Sequence, residues 1–166
     1  MKSPMKSSLQ FGTWLLFASL MGLPGMASAA CSEYPTVKAE ILRGPLVLQG
    51  RAIKEKVLQE DADDPYGVTA TEFTIQVEAW FKGRSKRNRL IIRDENTSSR
   101  FAMDLHKSYL LFMQPDPQYP GQYYVDSCGN SNLMAESRTV LKIINNMKAA
   151  KTKKAGNLSS KTSGSP

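Results

Sequence analysis

The clearest pattern in the chain is alternation. In "TEFTIQVEAWFKG", Phe73, Ile75, Val77, Ala79 and Phe81 point one way; Thr74, Gln76 and Glu78 point the other, accompanied by Trp80. A period of two over this length predicts a half-buried β-strand, ended by Gly83. "PLVLQGRAIKEKVL" (45–58) predicts an earlier strand, and Gly50 in its middle predicts a bulge or sharp bend. "RLIIRD" (89–94), "KSYLLFM" (107–113) and "QYYVDS" (122–127) supply three more. Five strands separated by loops predict a small closed or nearly closed barrel. The connections agree, because Asp64-Pro65-Tyr66-Gly67, Pro115-Asp116-Pro117 and Pro120-Gly121 are turn formers. A short helix is expected near residues 36–43. After Cys128 the period changes: Leu133, Val140, Leu141, Ile144 and Met147 fall near helical spacing, with Ser131 or Asn132 as the expected cap.

The first 30 residues read as a secretory signal. Lys2 and Lys6 precede the apolar run "FGTWLLFASLMGL" (11–23), Pro24-Gly25 breaks it, and Ala27-Ser28-Ala29-Ala30 offers small residues for cleavage. The run is shorter than the roughly 18–20 residues that span a bilayer, and no later segment is long enough, so no stable membrane anchor is expected. Lipid attachment at Cys31 is disfavoured by Ser28, which stands where a Leu-like residue belongs. Cleavage after Ala29 or after Ala30 is equally consistent with the small residues, so the mature chain starts at Ala30 or at Cys31. The expected location is extracellular.

Charge divides the remainder. The formal net charge is +7, yet residues 31–147 carry 15 Lys or Arg and 15 Asp or Glu. The excess lies in the signal and in Lys148, Lys151, Lys153, Lys154 and Lys161. One neutral domain (31–147) followed by a basic tail (148–166) is the expected organisation. The tail is rich in Ser, Gly and Lys, and is expected to be disordered from about residue 149. It reads as a solvated end, with an anionic partner such as a sulfated glycan as the sharper alternative.

Several chemistries find no support. The single histidine, His106, supplies neither a His-rich zinc site nor a triad base beside a nucleophile elbow. No phosphate-cradling glycine loop occurs. "DADDPYGVTATE" (61–72) places Asp61, Asp63 and Glu72 suitably for a calcium loop, but Tyr66 stands where a glycine must turn the chain. It reads as a solvated acidic loop. The expectation is a non-enzymatic protein with no cofactor and no metal.

Two cysteines in an exported chain most simply form one disulfide, here Cys31 with Cys128. Closing so long a loop contributes about 4–5 kcal/mol in the chain-entropy model. Such a bridge pins an N-terminal segment that would otherwise fray to the end of the last strand, where it enters the helix.

The ordered set of Cys31, "LVLQGRA" (46–52), "FTIQVEAWFKG" (73–83), "SYLLFM" (108–113), "YYVDSC" (123–128) and a closing helix resembles the netrin-like module shared with the tissue inhibitors of metalloproteinases. "SYLLFMQPDP" looks closest to the agrin N-terminal domain. The resemblance covers residues 31–147 and implies a mainly β fold: a five-stranded OB-type Greek-key barrel with a C-terminal helix packed against it. Two departures stand out. Family inhibitors begin Cys-x-Cys, whereas the stretch here is Cys31-Ser32-Glu33, with Glu33 where the second cysteine belongs. The Cys-Gly that pairs with that cysteine is replaced by "SSRFAMD" (98–104). In the inhibitors, the amine and carbonyl of the N-terminal cysteine chelate a protease zinc, which makes Cys31 the candidate chelator of the alternative reading, provided the chain begins there. The favoured expectation is a monomeric extracellular binding module whose partner is a matrix protein, as in the laminin-binding agrin group, or a heparan-type glycan. Nucleic acid is not an expected partner of a secreted chain with a neutral body.

The candidate anion-binding residues are Lys82, Arg84, Lys86, Arg87, Arg89 and Arg93 in "KGRSKRNRLIIR" (82–93), which contains no acidic residue. Guanidinium and ammonium groups gathered at one turn suit sulfate or carboxylate. The plainer reading is a soluble hairpin turn whose charges protect strand edges. Asn96-Thr97-Ser98 and Asn157-Leu158-Ser159 make Asn96 and Asn157 candidate glycan acceptors.

Overall fold

A computed structural model describes residues 31–162 except Ser32 and Ser98, with side chains as far as Lys153. The signal segment lies outside the described residues. In chain order the elements are α1 (Val37–Arg43), β1 (Leu46–Leu58), β2 (Ala70–Lys82), β3 (Arg89–Glu95), β4 (Ser108–Pro115), β5 (Tyr123–Val125), β6 (Asn132–Leu133), a 3-10 turn (Met134–Glu136) and α2 (Arg138–Thr162).

The long strand β1 closes the barrel because it pairs on both edges. β2 runs antiparallel to it on one side, and β4 pairs with its first half on the other, from Leu46 opposite Met113 to Arg51 opposite Ser108. β3 is antiparallel to β2, β5 is antiparallel to β4, and β3 meets β5 in parallel at Ile92 and Tyr123. The circuit β1-β2-β3-β5-β4-β1 is a closed five-stranded OB-type barrel. β6 adds a short pairing to β4.

Gly50 lies at a shift of register, as its place in the strand predicts. A Cβ there would fall 2.4 Å from Ile75 Cγ2, so the two strands can approach only over a residue without a side chain. The same irregularity corrects the expected facing of β2. Gly50 pairs with Val77 and Gln49 with Ala79, leaving Glu78 unmatched; Leu48 then pairs with Trp80 and Val47 with Lys82, leaving Phe81 unmatched. Each extra residue reverses the alternation. Phe73, Ile75 and Val77 therefore face the barrel interior as expected, but Trp80 follows them, and Phe81 packs outside beneath the helices.

Two apolar layers result. Leu48, Ile75, Ile92, Leu111 and Met113 fill the barrel, each with almost no exposure. Val37, Val47, Leu110, Phe112 and Ile144 form the second layer between barrel wall and helices. β4 serves both, which explains its run of five buried residues. Burying Ile144 alone is worth about 1.5–3 kcal/mol and ties α2 to the barrel.

The start of α2 differs from expectation. Ser131 instead accepts a hydrogen bond from Phe112 N (2.9 Å), and Asn132 belongs to β6. The helix begins only at Arg138, after buried Ser137, whose hydroxyl donates to Leu133 O (2.8 Å). Cys128 is thus separated from α2 by a turn, β6 and the 3-10 turn rather than standing at its entry. At its other end the helix continues to Thr162. Lys and Ala have high helix propensity, and Ala149 to Ala155 contains neither Gly nor Pro. A composition too polar to form a core can still be helical.

Candidate functional site

Gly83 ends β2 with a φ of 65°, a conformation that suits glycine, and turns the chain into the basic connection to β3. The connection is braced from inside: Val77 N and Gln76 Nε2 both donate to Asn88 O, at 2.9 and 3.2 Å, and Arg87 N donates to Ser85 Oγ at 3.1 Å.

The six candidate residues do not stay together. Arg84, Lys86, Arg87 and Arg89 are exposed on the turn, and among the described residues none is ion-paired. Arg84, Lys86 and Arg87 surround a shallow hollow of about 450 Å³ that also exposes part of Trp80. Arg87 and Arg89 border a second hollow of about 350 Å³ with Leu90, Ile91 and Tyr123. Arg89 is oriented by a 3.2 Å hydrogen bond to Gln76 Oε1.

Lys82 and Arg93 are engaged elsewhere. Lys82 Nζ donates to the carbonyls of Ile41, Leu42 and Gly44, with 2.6 Å to Gly44 O, and so caps the C-terminal end of α1. Arg93 has a side chain only 3% exposed and pairs with Glu60 (2.7 Å) and Glu95 (2.5 Å). Its guanidinium also lies 3.8 Å from the centre of the Tyr119 ring. Burial opposes its charge, but the hydrogen bonds to Glu60 and Glu95 outweigh that and keep it protonated more firmly than usual. Both residues are structural cations.

Glu78 has a role that alternation alone does not reveal. It is the first of the two unmatched residues of β2, and it accepts hydrogen bonds from Gln49 Nε2 (2.6 Å), Arg51 Nε (2.8 Å) and Ser108 Oγ (3.1 Å). Burial works against its charge, yet these donors prevail and hold the carboxyl below its ordinary value of 4.5. Its acidity is directed to Arg51 rather than to the basic turn.

Cys31 and Cys128 are joined as a disulfide, with Cα atoms 5.6 Å apart. A polar clamp missed by sequence reasoning reinforces it. Asn130 Nδ2 donates to Pro35 O (2.9 Å) and Glu40 Oε2 (2.6 Å), and Asn130 N donates to the same oxygen (2.7 Å). Glu40 is only 5% exposed, and burial raises its pKa despite these donors. One signal was available: Val37, Glu40 and Ile41 share a helical face, so Glu40 sits in an apolar stripe. Beside the bridge, Glu33 and Tyr34 are exposed.

The remaining candidates are dispersed. Asn96 is exposed; its Nδ2 donates to Val68 O (2.8 Å) and its Oδ1 accepts from Arg100 (3.1 Å). The side chain of Asn157 lies outside the described residues. Asp61 caps its own loop by accepting from Asp63 N (2.9 Å), while Glu72 accepts from Gln122 (2.6 Å) on the barrel. Among the described residues no cluster of His, Cys, Asp or Glu could hold a metal ion, and no helix is long and apolar enough to cross a membrane. Compared with known proteins, the chain matches no family model and no curated sequence.

Proposed function

We propose that this protein is a secreted, non-enzymatic binding module of the netrin-like type, and that the turn between β2 and β3 engages a sulfated glycan of the extracellular matrix. The observation that carries this reading is the exposure of Arg84, Lys86 and Arg87 around Trp80, with Arg89 in the adjoining hollow that Arg87 also borders, without a carboxylate partner among the described residues. Guanidinium groups give charge-assisted, geometrically specific bonds to sulfate. The indole offers an apolar face with a polar edge, suited to a sugar ring. The disulfide and the order of the motifs along the barrel strands support the netrin-like assignment.

The test is retention of the secreted protein on immobilised heparin. Arg84→Glu, Arg87→Glu and Arg89→Glu together should lower the eluting salt concentration markedly. A parallel variant with Lys151, Lys153 and Lys154 changed to Glu measures the contribution of α2. Unchanged elution of the turn variant rejects the proposal.

A further inference from the structure

A further hollow is lined by none of the residues that line the hollows of the basic turn. Where α1 and α2 cross the barrel wall they leave a notch of about 240 Å³, lined by Ile41, Leu42, Val47, Phe81, Ile144 and Met147. The extra residue at Glu78, which reverses the alternation of β2, is what brings the Phe81 ring outward to this place. Leu42 is 70% exposed at the rim, an apolar residue that the fold itself leaves uncovered.

The mouth is cationic. Lys148 and Lys151, one helical turn apart on α2, border the notch; both are exposed and neither is ion-paired among the described residues. Lys148 Nζ stands 4.9 Å from the centre of the Phe81 ring. Lys82, also on the border, is held by the carbonyls that end α1.

We propose that the notch binds one anionic single-chain amphiphile, with its acyl chain against Phe81 and Ile144 and its acidic head at Lys148 and Lys151. Apolar lining fixes the chain, and the two ammonium groups supply the complementary charge. The volume lies below the roughly 300–1,000 Å³ of sites for bulkier ligands, which favours a single slender chain. A docked amphipathic helix needs a groove for several anchor side chains, whereas this is one depression. Its test reads residues that do not line the hollows of the basic turn.

The experiment titrates the secreted protein with decanoate below its micelle concentration, following the methyl resonances of Ile41, Val47 and Ile144. Decanol and acetate serve as chain-only and head-only probes, and phosphatidylglycerol vesicles as a lipid surface. Saturable shifts at these methyls with decanoate are expected, with decanol binding about tenfold more weakly and acetate producing no saturable shift. Lys148→Gln with Lys151→Gln should weaken decanoate to the level of decanol. Leu42→Glu, at an exposed position, should weaken both ligands. Absence of saturation, equal binding of decanol and decanoate, or indifference to either variant overturns the proposal. So does binding to vesicles without binding of free decanoate, which would mean adsorption to a surface.

Discussion

Glu40 and Asn130 lie 90 positions apart, yet two hydrogen bonds of 2.6 and 2.7 Å run from Asn130 to one carboxylate oxygen of Glu40. They hold α1 against the segment that follows β5, beside the Cys31–Cys128 bridge. Asn130→Ala removes the side-chain donor to Glu40 and the one to Pro35 O, leaving a buried carboxylate with a single donor from Asn130. A loss of about 1–3 kcal/mol in urea denaturation is expected.

The same carboxylate gives stability a pH dependence. Burial raises the Glu40 pKa above 4.5, the hydrogen bonds from Asn130 oppose it, Asp126 adds to the rise and Arg43 counters it. On acidification the folded protein therefore takes up this proton before the unfolded chain does. The contribution of Glu40 to stability is full below 4.5 and is lost as pH rises through the raised folded value. Glu40→Gln abolishes that loss. Its stability relative to the parent protein should increase from pH below 4.5 toward neutrality, read as urea midpoints across the range. Asp94, whose pKa is also raised by burial, acts equally in both proteins and cancels.

Arg93 and Arg89 are only four positions apart but should respond oppositely to the same change. Arg93→Met leaves Glu60, Glu95 and Tyr119 without their shared cation and should cost about 1–3 kcal/mol of stability. Its heparin retention should be unchanged. Arg89→Met should leave stability nearly intact and lower retention. Denaturation and salt elution of the two variants, measured side by side, check both halves.

Much of the barrel is legible because it is local. Alternation over Phe73 to Val77, the glycine at position 50 and the turn formers each act within a few residues. The alternation fails at Glu78 because a bulge depends on the partner strand, and no feature of β2 alone announces the pairing of Gly50 with Val77. The candidate site was half legible for the same reason. Basicity marks all six residues equally, but Lys82 is held by Gly44, 38 positions away, and Arg93 by Glu60, 33 positions away, as well as by nearby Glu95. Beyond residue 149, where disorder was expected, Lys and Ala favour a helical backbone in a sequence unable to form a core.

Reduction of the disulfide tests how the N-terminal segment is held. Opening a loop of 97 positions should cost up to about 4–5 kcal/mol. Asn130 still links Pro35 and Glu40 to the barrel, so the reduced protein should keep its β-sheet circular dichroism while unfolding at lower urea. An unshifted midpoint would show that the bridge adds nothing to the clamp.

The most direct measurement is a chemical-shift map of the disulfide-bonded protein titrated with a heparin-derived oligosaccharide. The largest saturating changes are expected at the Trp80 indole N–H and the backbone of residues 84–89, with Lys82 and Arg93 little affected. Changes confined to the lysines of α2, with Trp80 and the turn unmoved, would contradict a glycan site on this face.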